Sequence, residues 1–299
     1  MSIVVSTPTG NIGRGLTEHL LDGGAEVTLL VRDPKKVADF AKRGATVHQG
    51  ALDDAAFVRE TTQGAKALFW LIPPDMTATD FRARQNQFAD VGAAAVEANQ
   101  IGHVVLLSST GAQYDSGNGP IAGLHDAEQK FAKVAPNLLQ LRAGYFMEIL
   151  LATIPMIAAQ KSVFQPMPAE TKLAMVATRD IARVAADELL DLTWKGHRIR
   201  GVHGPADVDW NDVCAIIGKE LGEPVQYMQV PGEAVHAALT GMGISEAIAD
   251  LYVEMLEGFG TGRIQNAEPR TAQTTTPTTL QQFCRDTLVP GVKAAAATG

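Results

Sequence analysis

The chain has 299 residues, 46% of them hydrophobic and 19% charged, without low-complexity runs: a globular protein large enough for one domain with an appended lobe. A net charge of −8 excludes a nucleic-acid surface, which needs a concentrated basic field. No apolar stretch is long enough to span a bilayer and Met1 runs almost directly into the first strand, so a cytoplasmic protein with no membrane partner is expected.

The first strand, Ile3-Val4-Val5, leads through Ser6-Thr7-Pro8-Thr9-Gly10-Asn11-Ile12-Gly13 into a helix carrying Leu16, Leu20 and Leu21 at helical spacing. Glycines at this junction let a backbone approach a pyrophosphate and leave helix N–H groups facing it. The spacing departs from G-x-x-G-x-x-G because Thr7 stands at the first glycine and Pro8 follows. The same residues also suit an ordinary strand-to-helix turn, with Gly10 at positive φ and Gly13 serving packing. Gly23-Gly24 stops the helix, and residues 25–31 form a second buried strand, which completes a βαβ unit. At its end stands Arg32, ahead of Asp33, Pro34, Lys35 and Lys36. A basic residue here favours a ribose 2′-phosphate and an acidic one a free hydroxyl, so NADP(H) is favoured over NAD(H). Arg32 and Lys36 also read as a solvated start to the next helix, by itself the commoner arrangement, although cations near a helix N-terminus oppose its dipole and so favour a bound anion.

The alternation continues with a strand over 45–50, a helix over 54–62, a strand over 67–72 ended by Pro73-Pro74, a helix over 81–99 and a strand over 103–108. A polar loop over 109–123 precedes a helix near 124–132 and a strand over 138–142. Tyr145-Phe146-Met147-Glu148 is expected to open an apolar helix that leaves the sheet. Residues 174–203 read as a return to it through a helix over 178–190. The pattern predicts an α/β fold: a doubly wound, mostly parallel Rossmann sheet with a smaller discontinuous α/β substrate lobe. The dinucleotide-binding domain is assigned to 1–149 plus 174–203, and the lobe to 150–173 and 204–290. Within the lobe fall a helix over 210–221, a strand over 225–230 and helices near Ala234 and over 245–257. After a turn at 274–277 comes a final helix with Leu280, Phe283 and Leu288, and then a frayed tail over 291–299. Cys214 and Cys284 lack metal or redox spacing, so no metal is expected.

Several segments together resemble the NmrA-like group of atypical short-chain dehydrogenase/reductases, including its NAD(P)H:quinone oxidoreductase-like members. They are Thr9-Gly10-Asn11-Ile12-Gly13, Val31-Arg32-Asp33-Pro34, Leu71-Ile72-Pro73-Pro74-Asp75, Leu107-Ser108-Ser109, His125-Asp126-Ala127-Glu128, the run from Leu141 to Glu148, Asp180-Ile181-Ala182 and His203-Gly204-Pro205. The resemblance implies that Thr9, Gly10, Asn11, Ile12 and Gly13 line a pyrophosphate, beside Thr7, and that Arg32 and Lys36 meet the adenosine end. It places Leu52 and Asp53 beside adenine, Ile72, Pro73 and Pro74 along the ribose and nicotinamide path, and Tyr145 and Phe146 near the nicotinamide. Read from the residues alone, Ser108 and Ser109 border the site, where they orient cofactor or satisfy the end of the strand. Ala143 stands where the group often has proline, and Ile149 where it often has asparagine.

An ordinary short-chain dehydrogenase uses a Tyr-x-x-x-Lys pair, whose lysine lowers the tyrosine pKa. Here Tyr114, Tyr145, Tyr227 and Tyr252 are followed at that spacing by Asn118, Ile149, Pro231 and Leu256. His125 is a candidate proton donor, or else a structural histidine paired with Glu128. Lys130 reads as a phosphate or substrate contact or as a solvated lysine. Phe69, Trp70, Tyr145 and Phe146 could wall an acceptor or fill a core, and Met147, Met156, Met167 and Met175 could line a pocket or do the same.

The leading expectation is an NADPH-preferring oxidoreductase that passes hydride to a planar conjugated acceptor such as a quinone, whose reduced oxygen is a stabilised phenolate needing no strong acid. The rival is a redox sensor that binds dinucleotide without turnover. A third reading is a biosynthetic reductase or isomerase with His236 as a distant acid. The expected partner is a small-molecule acceptor, and a homodimer is compatible with the sequence.

Overall fold

The computed structural model describes residues 2 to 298, which divide into two compact units. The first comprises the chain up to Asp115, Ile121–Arg142 and Ile181–Arg200; the second comprises Ser116–Pro120, Ala143–Asp180 and the chain from Gly201. In chain order the elements are β1 Ser2–Val5, α1 Asn11–Asp22, β2 Glu26–Val31, α2 Ala38–Lys42, β3 Thr46–Gln49, α3 Ala55–Thr61, β4 Ala67–Trp70, α4 Phe81–Asn99, β5 His103–Ser109, α5 Ala122–Val134 and β6 Asn137–Ala143. They continue with β7 Tyr145–Phe146, α6 Ile154–Gln160, β8 Ser162–Gln165, β9 Met175–Val176, α7 Thr178–Leu190, β10 Gly196–Val202, α8 Trp210–Leu221, β11 Gln226–Gln229, α9 Gly232–Gly241, α10 Glu246–Gly260, α11 Leu280–Phe283 and α12 Val289–Thr298.

Seven strands form one parallel sheet in the order β10-β6-β5-β4-β1-β2-β3, the Rossmann-like α/β arrangement. In the register of β1, Val4 lies opposite Thr28 on one side and Leu68 on the other. Alternate residues of each strand serve opposite faces. Val4, Leu30, Leu68, Trp70, Val104 and Leu106 pack with Val58 of α3, Phe88 and Val91 of α4 and Phe131 of α5. On the other face a methyl group at Gly15 of α1 would stand 3.1 Å from the Ala182 methyl of α7, so these two helices cross closely. Covering on both faces explains why strands such as Ala67-Leu68-Phe69-Trp70 are apolar throughout.

The second unit has its own core, built from Tyr145, Met147, Leu150, Val163, Met175, Trp210, Ile217, Phe283 and Leu288 around the short parallel pairs β8–β11 and β7–β9. It takes in Ser116–Pro120 together with 143–149, 174–180 and 201–203, which sequence patterning had assigned to the dinucleotide-binding part. Tyr145 and Phe146 do not open a helix. They pair as a strand with Met175 and Val176, as suits aromatic residues, and a 3₁₀ segment Met147–Thr153 follows. The tail over 291–299, expected to fray, is helical to Thr298, as suits a run of alanines with the highest helix propensity; Gly299 lies outside the described residues. Among the described residues no helix is long and apolar enough to cross a membrane.

Candidate functional site: an anion cradle at the carboxyl ends of β1 and β2

The loop after β1 delivers the chain to α1 with Gly10 as N-cap, in extended backbone at φ −81° and ψ 167°. No side chain caps this helix and no acidic residue stands in its first turn, so its leading N–H groups keep their capacity for an anion. Gly10 therefore does not supply the positive φ of a simple turn, because an N-cap needs the extended region. The left-handed residue is Thr7, at φ 51°. Its hydroxyl is buried and has no hydrogen-bond partner among the described residues. Gly13 is required by close approach: a Cβ there would lie 2.1 Å from the Thr7 carbonyl oxygen and 3.1 Å from Pro8 Cα. Thr9, Gly10 and Asn11 are exposed, whereas Ile12 and Gly13 are buried against the sheet.

At the end of β2, Arg32 is exposed and its carbonyl accepts a hydrogen bond of 3.2 Å from the Gln49 side chain, which fixes its backbone. The Asp33 carboxylate caps the 3₁₀ turn Pro34–Val37, accepting from the Lys35 amide at 3.1 Å. Arg32, Lys35 and Lys36 are exposed and form no ion pair with other described residues. Arg14, by contrast, is held by Asp39 and lies 4.8 Å above the Phe40 ring. The corner thus presents unpaired cations while its one aspartate is engaged in capping. That arrangement fits a phosphate better than a hydroxyl seeking an acceptor.

Further along the same strand ends, Leu52 is half-buried against the α3–α4 core and Asp53 is bonded to Arg84. Ile72 is buried, Pro73 half-buried and Pro74 exposed. Ser108 is buried, and its hydroxyl donates to Glu128 Oε1 at 2.6 Å. Glu128 is also gripped by Arg142, through Nη2 to Oε2 at 2.7 Å and Nε to Oε1 at 3.0 Å. This removes the expected His125–Glu128 pair: the two side chains diverge because Glu128 is drawn inward to the cation. His125 bonds instead to the Ala112 carbonyl at 2.8 Å, which ties the β5–α5 loop to α5. Lys130 is committed to Asp90 on the neighbouring α4, and not to a ligand.

Residues 1–284 match the NmrA-like family. The chain belongs to that family. It is 27% identical over 257 residues to an NAD(P)H azoreductase of Xenophilus azovorans, covering 85% of each chain. It is 25% identical over 265 residues to quinone oxidoreductase 2 of Escherichia coli, covering 87% of this chain and 88% of that one. A solved NADPH-dependent quinone oxidoreductase of Escherichia coli, complexed with NADPH, shares the fold at a TM-score of 0.75 and 18% identity over 99% of each chain.

In this NmrA-like chain Phe69 and Trp70 take the core-filling alternative. Phe69 and Trp70 are wholly buried in the first unit, since their strand is covered on both faces. Tyr145 is buried in the second unit, edge-on to Trp210 and Phe259, and burial pushes its phenol well above the usual tyrosine range. Phe146 is half-buried. Met147, Met167 and Met175 are core residues of the second unit and Met156 is exposed. His236 lies 3.2 Å from Asp250, joining α9 to α10. Two features escaped the sequence reading: the Ser108–Glu128–Arg142 network, and the capping role of Asp33. The second was detectable, because Asp before Pro at a helix start is a capping signal.

Proposed function

We propose that this protein is an NAD(P)H-dependent oxidoreductase that prefers NADPH and reduces a quinone-like conjugated acceptor. The carrying observation is the corner after β2, where Arg32, Lys35 and Lys36 stand unpaired while Asp33 caps its own turn. Beside it, the uncapped start of α1 and the close approach at Gly13 suit a pyrophosphate. Thr9 to Gly13 would hold that group, Arg32 and Lys36 the 2′-phosphate, and Leu52, Asp53, Ile72, Pro73 and Pro74 would flank the rest. The buried Thr7 hydroxyl, lacking a protein partner among the described residues, marks the same loop as built for more than packing.

A bound NADPH supplies the hydride. The chain's own contribution is to position the cofactor and exclude water, because three of its four tyrosines are poorly suited to acid–base work. Burial raises the phenols of Tyr145, Tyr227 and Tyr252, opposite to the shift that a lysine neighbour gives a catalytic tyrosine. An acceptor whose reduced oxygen is a stabilised phenolate relieves that need. The names of the azoreductase and quinone reductase relatives agree with this acceptor class.

The test is a titration with NADPH and NADH, followed by NADPH oxidation on adding a small quinone. NADPH-selective binding with saturable turnover is expected. Arg32→Ala should weaken NADPH by about 1.5 to 3 kcal/mol and leave NADH nearly unchanged, the signature of a lost charge-assisted hydrogen bond. Equal weakening of both cofactors would refute the 2′-phosphate assignment, and binding without turnover on several acceptors would favour a redox sensor.

A further inference from the structure

One guanidinium links two loops of the first unit that are far apart in sequence. Arg84, on the first turns of α4, reaches Asp53 Oδ2 through Nη2 at 2.8 Å and Asp75 Oδ2 through Nε at 3.0 Å. Its remaining nitrogen, Nη1, donates to Gln87 Oε1 at 2.7 Å, and the group lies 4.4 Å above the Phe88 ring. All three charged side chains are between a quarter and a third exposed. Asp75 is further fixed at its other oxygen by the Thr77 hydroxyl at 2.7 Å and the Thr77 amide at 3.1 Å. Those bonds, followed by the one from Arg84, hold its carboxyl below the usual range.

The loops so joined follow β3 and β4, and in the sheet β1 and β2 lie between those strands. Asp53 belongs to the first loop, with Leu52; Asp75 belongs to the second, directly after Ile72, Pro73 and Pro74. A planar fork with several donors can hold two carboxylates at a fixed spacing, which a lysine ammonium on its flexible stem does not reproduce.

We infer that Arg84 is a positioning residue of the dinucleotide site, clamping the adenine-side loop after β3 to the nicotinamide-side loop after β4 so that the two halves of the cofactor bind as one ligand. The inference rests on the proposed cofactor reading. Its physical content is effective concentration: binding one half of a linked ligand favours the other only when the two subsites keep their spacing. Arg84 itself need touch neither half.

Calorimetric titration of the full chain and of Arg84→Met with NADPH and with adenosine 2′,5′-bisphosphate tests this. NADPH should bind the variant about tenfold more weakly, while the half-ligand binds within about twofold of wild type. A general structural defect would weaken both. Unchanged NADPH affinity in Arg84→Met, or equal loss for both ligands, overturns the clamp while leaving the cofactor assignment standing. Failure of the wild type to bind NADPH overturns both. Should Arg84→Met not fold, Asp75→Asn keeps an acceptor for Thr77, removes only the charge facing Arg84, and should show the same split at about threefold.

Discussion

Thr7 is a β-branched residue in left-handed backbone, at φ 51°, with a buried hydroxyl that finds no partner among the described residues. Both features are costly to the folded state: about 1 to 3 kcal/mol for the conformation and about 1 to 3 kcal/mol for the orphaned polar group. Thr7→Gly removes both. Against that, glycine returns about 0.5 to 1 kcal/mol of freedom to the unfolded chain and forfeits burial of about one methyl group, roughly 0.8 kcal/mol. The balance favours the variant by about 2 kcal/mol, a rise of about 4 to 8 °C in Tm for a unit of this size. Scanning calorimetry without cofactor is the assay, read on the transition of the first unit, since two units can melt separately. Thr7→Ala separates the contributions: it keeps a Cβ in the left-handed region and recovers only the hydroxyl's share. A Tm unchanged or lowered in Thr7→Gly would refute the strain argument, and an equal gain in Thr7→Ala would assign the whole effect to the hydroxyl.

Gly13→Ala places a Cβ against the Thr7 carbonyl oxygen at a separation no pair of atoms tolerates, so α1 must shift; NADPH binding should be lost, and retention of tight binding would show that the loop is not the cradle. Glu128→Ala leaves Arg142 charged and buried without its carboxylate, and should cost about 3 to 5 kcal/mol in urea unfolding. The double variant Glu128→Met with Arg142→Met should cost much less, and equal losses would mean that the packing there matters more than the charge. His203 is buried, and burial, then the nearby Arg270 guanidinium, lowers its pKa from 6.5. The unfolded chain therefore binds the extra proton first on acidification: the stabilisation is present above about pH 6.5 and is lost as pH falls below it. Thermal melts from about pH 8 to 5.5 should show this slope in wild type and a shallower one in His203→Leu.

What the sequence made legible is what short-range periodicity encodes. Residues 81–99 form the helix expected of them, as do 178–190 and 210–221, because each carries its apolar residues at helical spacing and its own end signals. The turn between β1 and α1 was legible for the same reason, as glycines at fixed offsets between a strand and a helix state a backbone requirement. The glycine pattern nonetheless misassigned the left-handed position. Thr7 takes a conformation its own chemistry disfavours, with its carbonyl oxygen set against α1 at Gly13.

Side-chain partnerships were opaque for a related reason. His125 and Glu128 share a helix face by spacing, yet Glu128 is claimed by Arg142, fourteen residues away on a strand, and by Ser108 on another. A buried carboxylate follows the cation that lowers its desolvation penalty most, and that cation is set by sheet order, which no local window contains. Arg84 makes the same point for function. Its two aspartates, Asp53 and Asp75, lie 31 and nine residues before it, so no motif joins them. Only the carboxyl ends of β3 and β4, brought to one rim by the parallel sheet, turn three ordinary surface charges into a device that sets the distance between two loops.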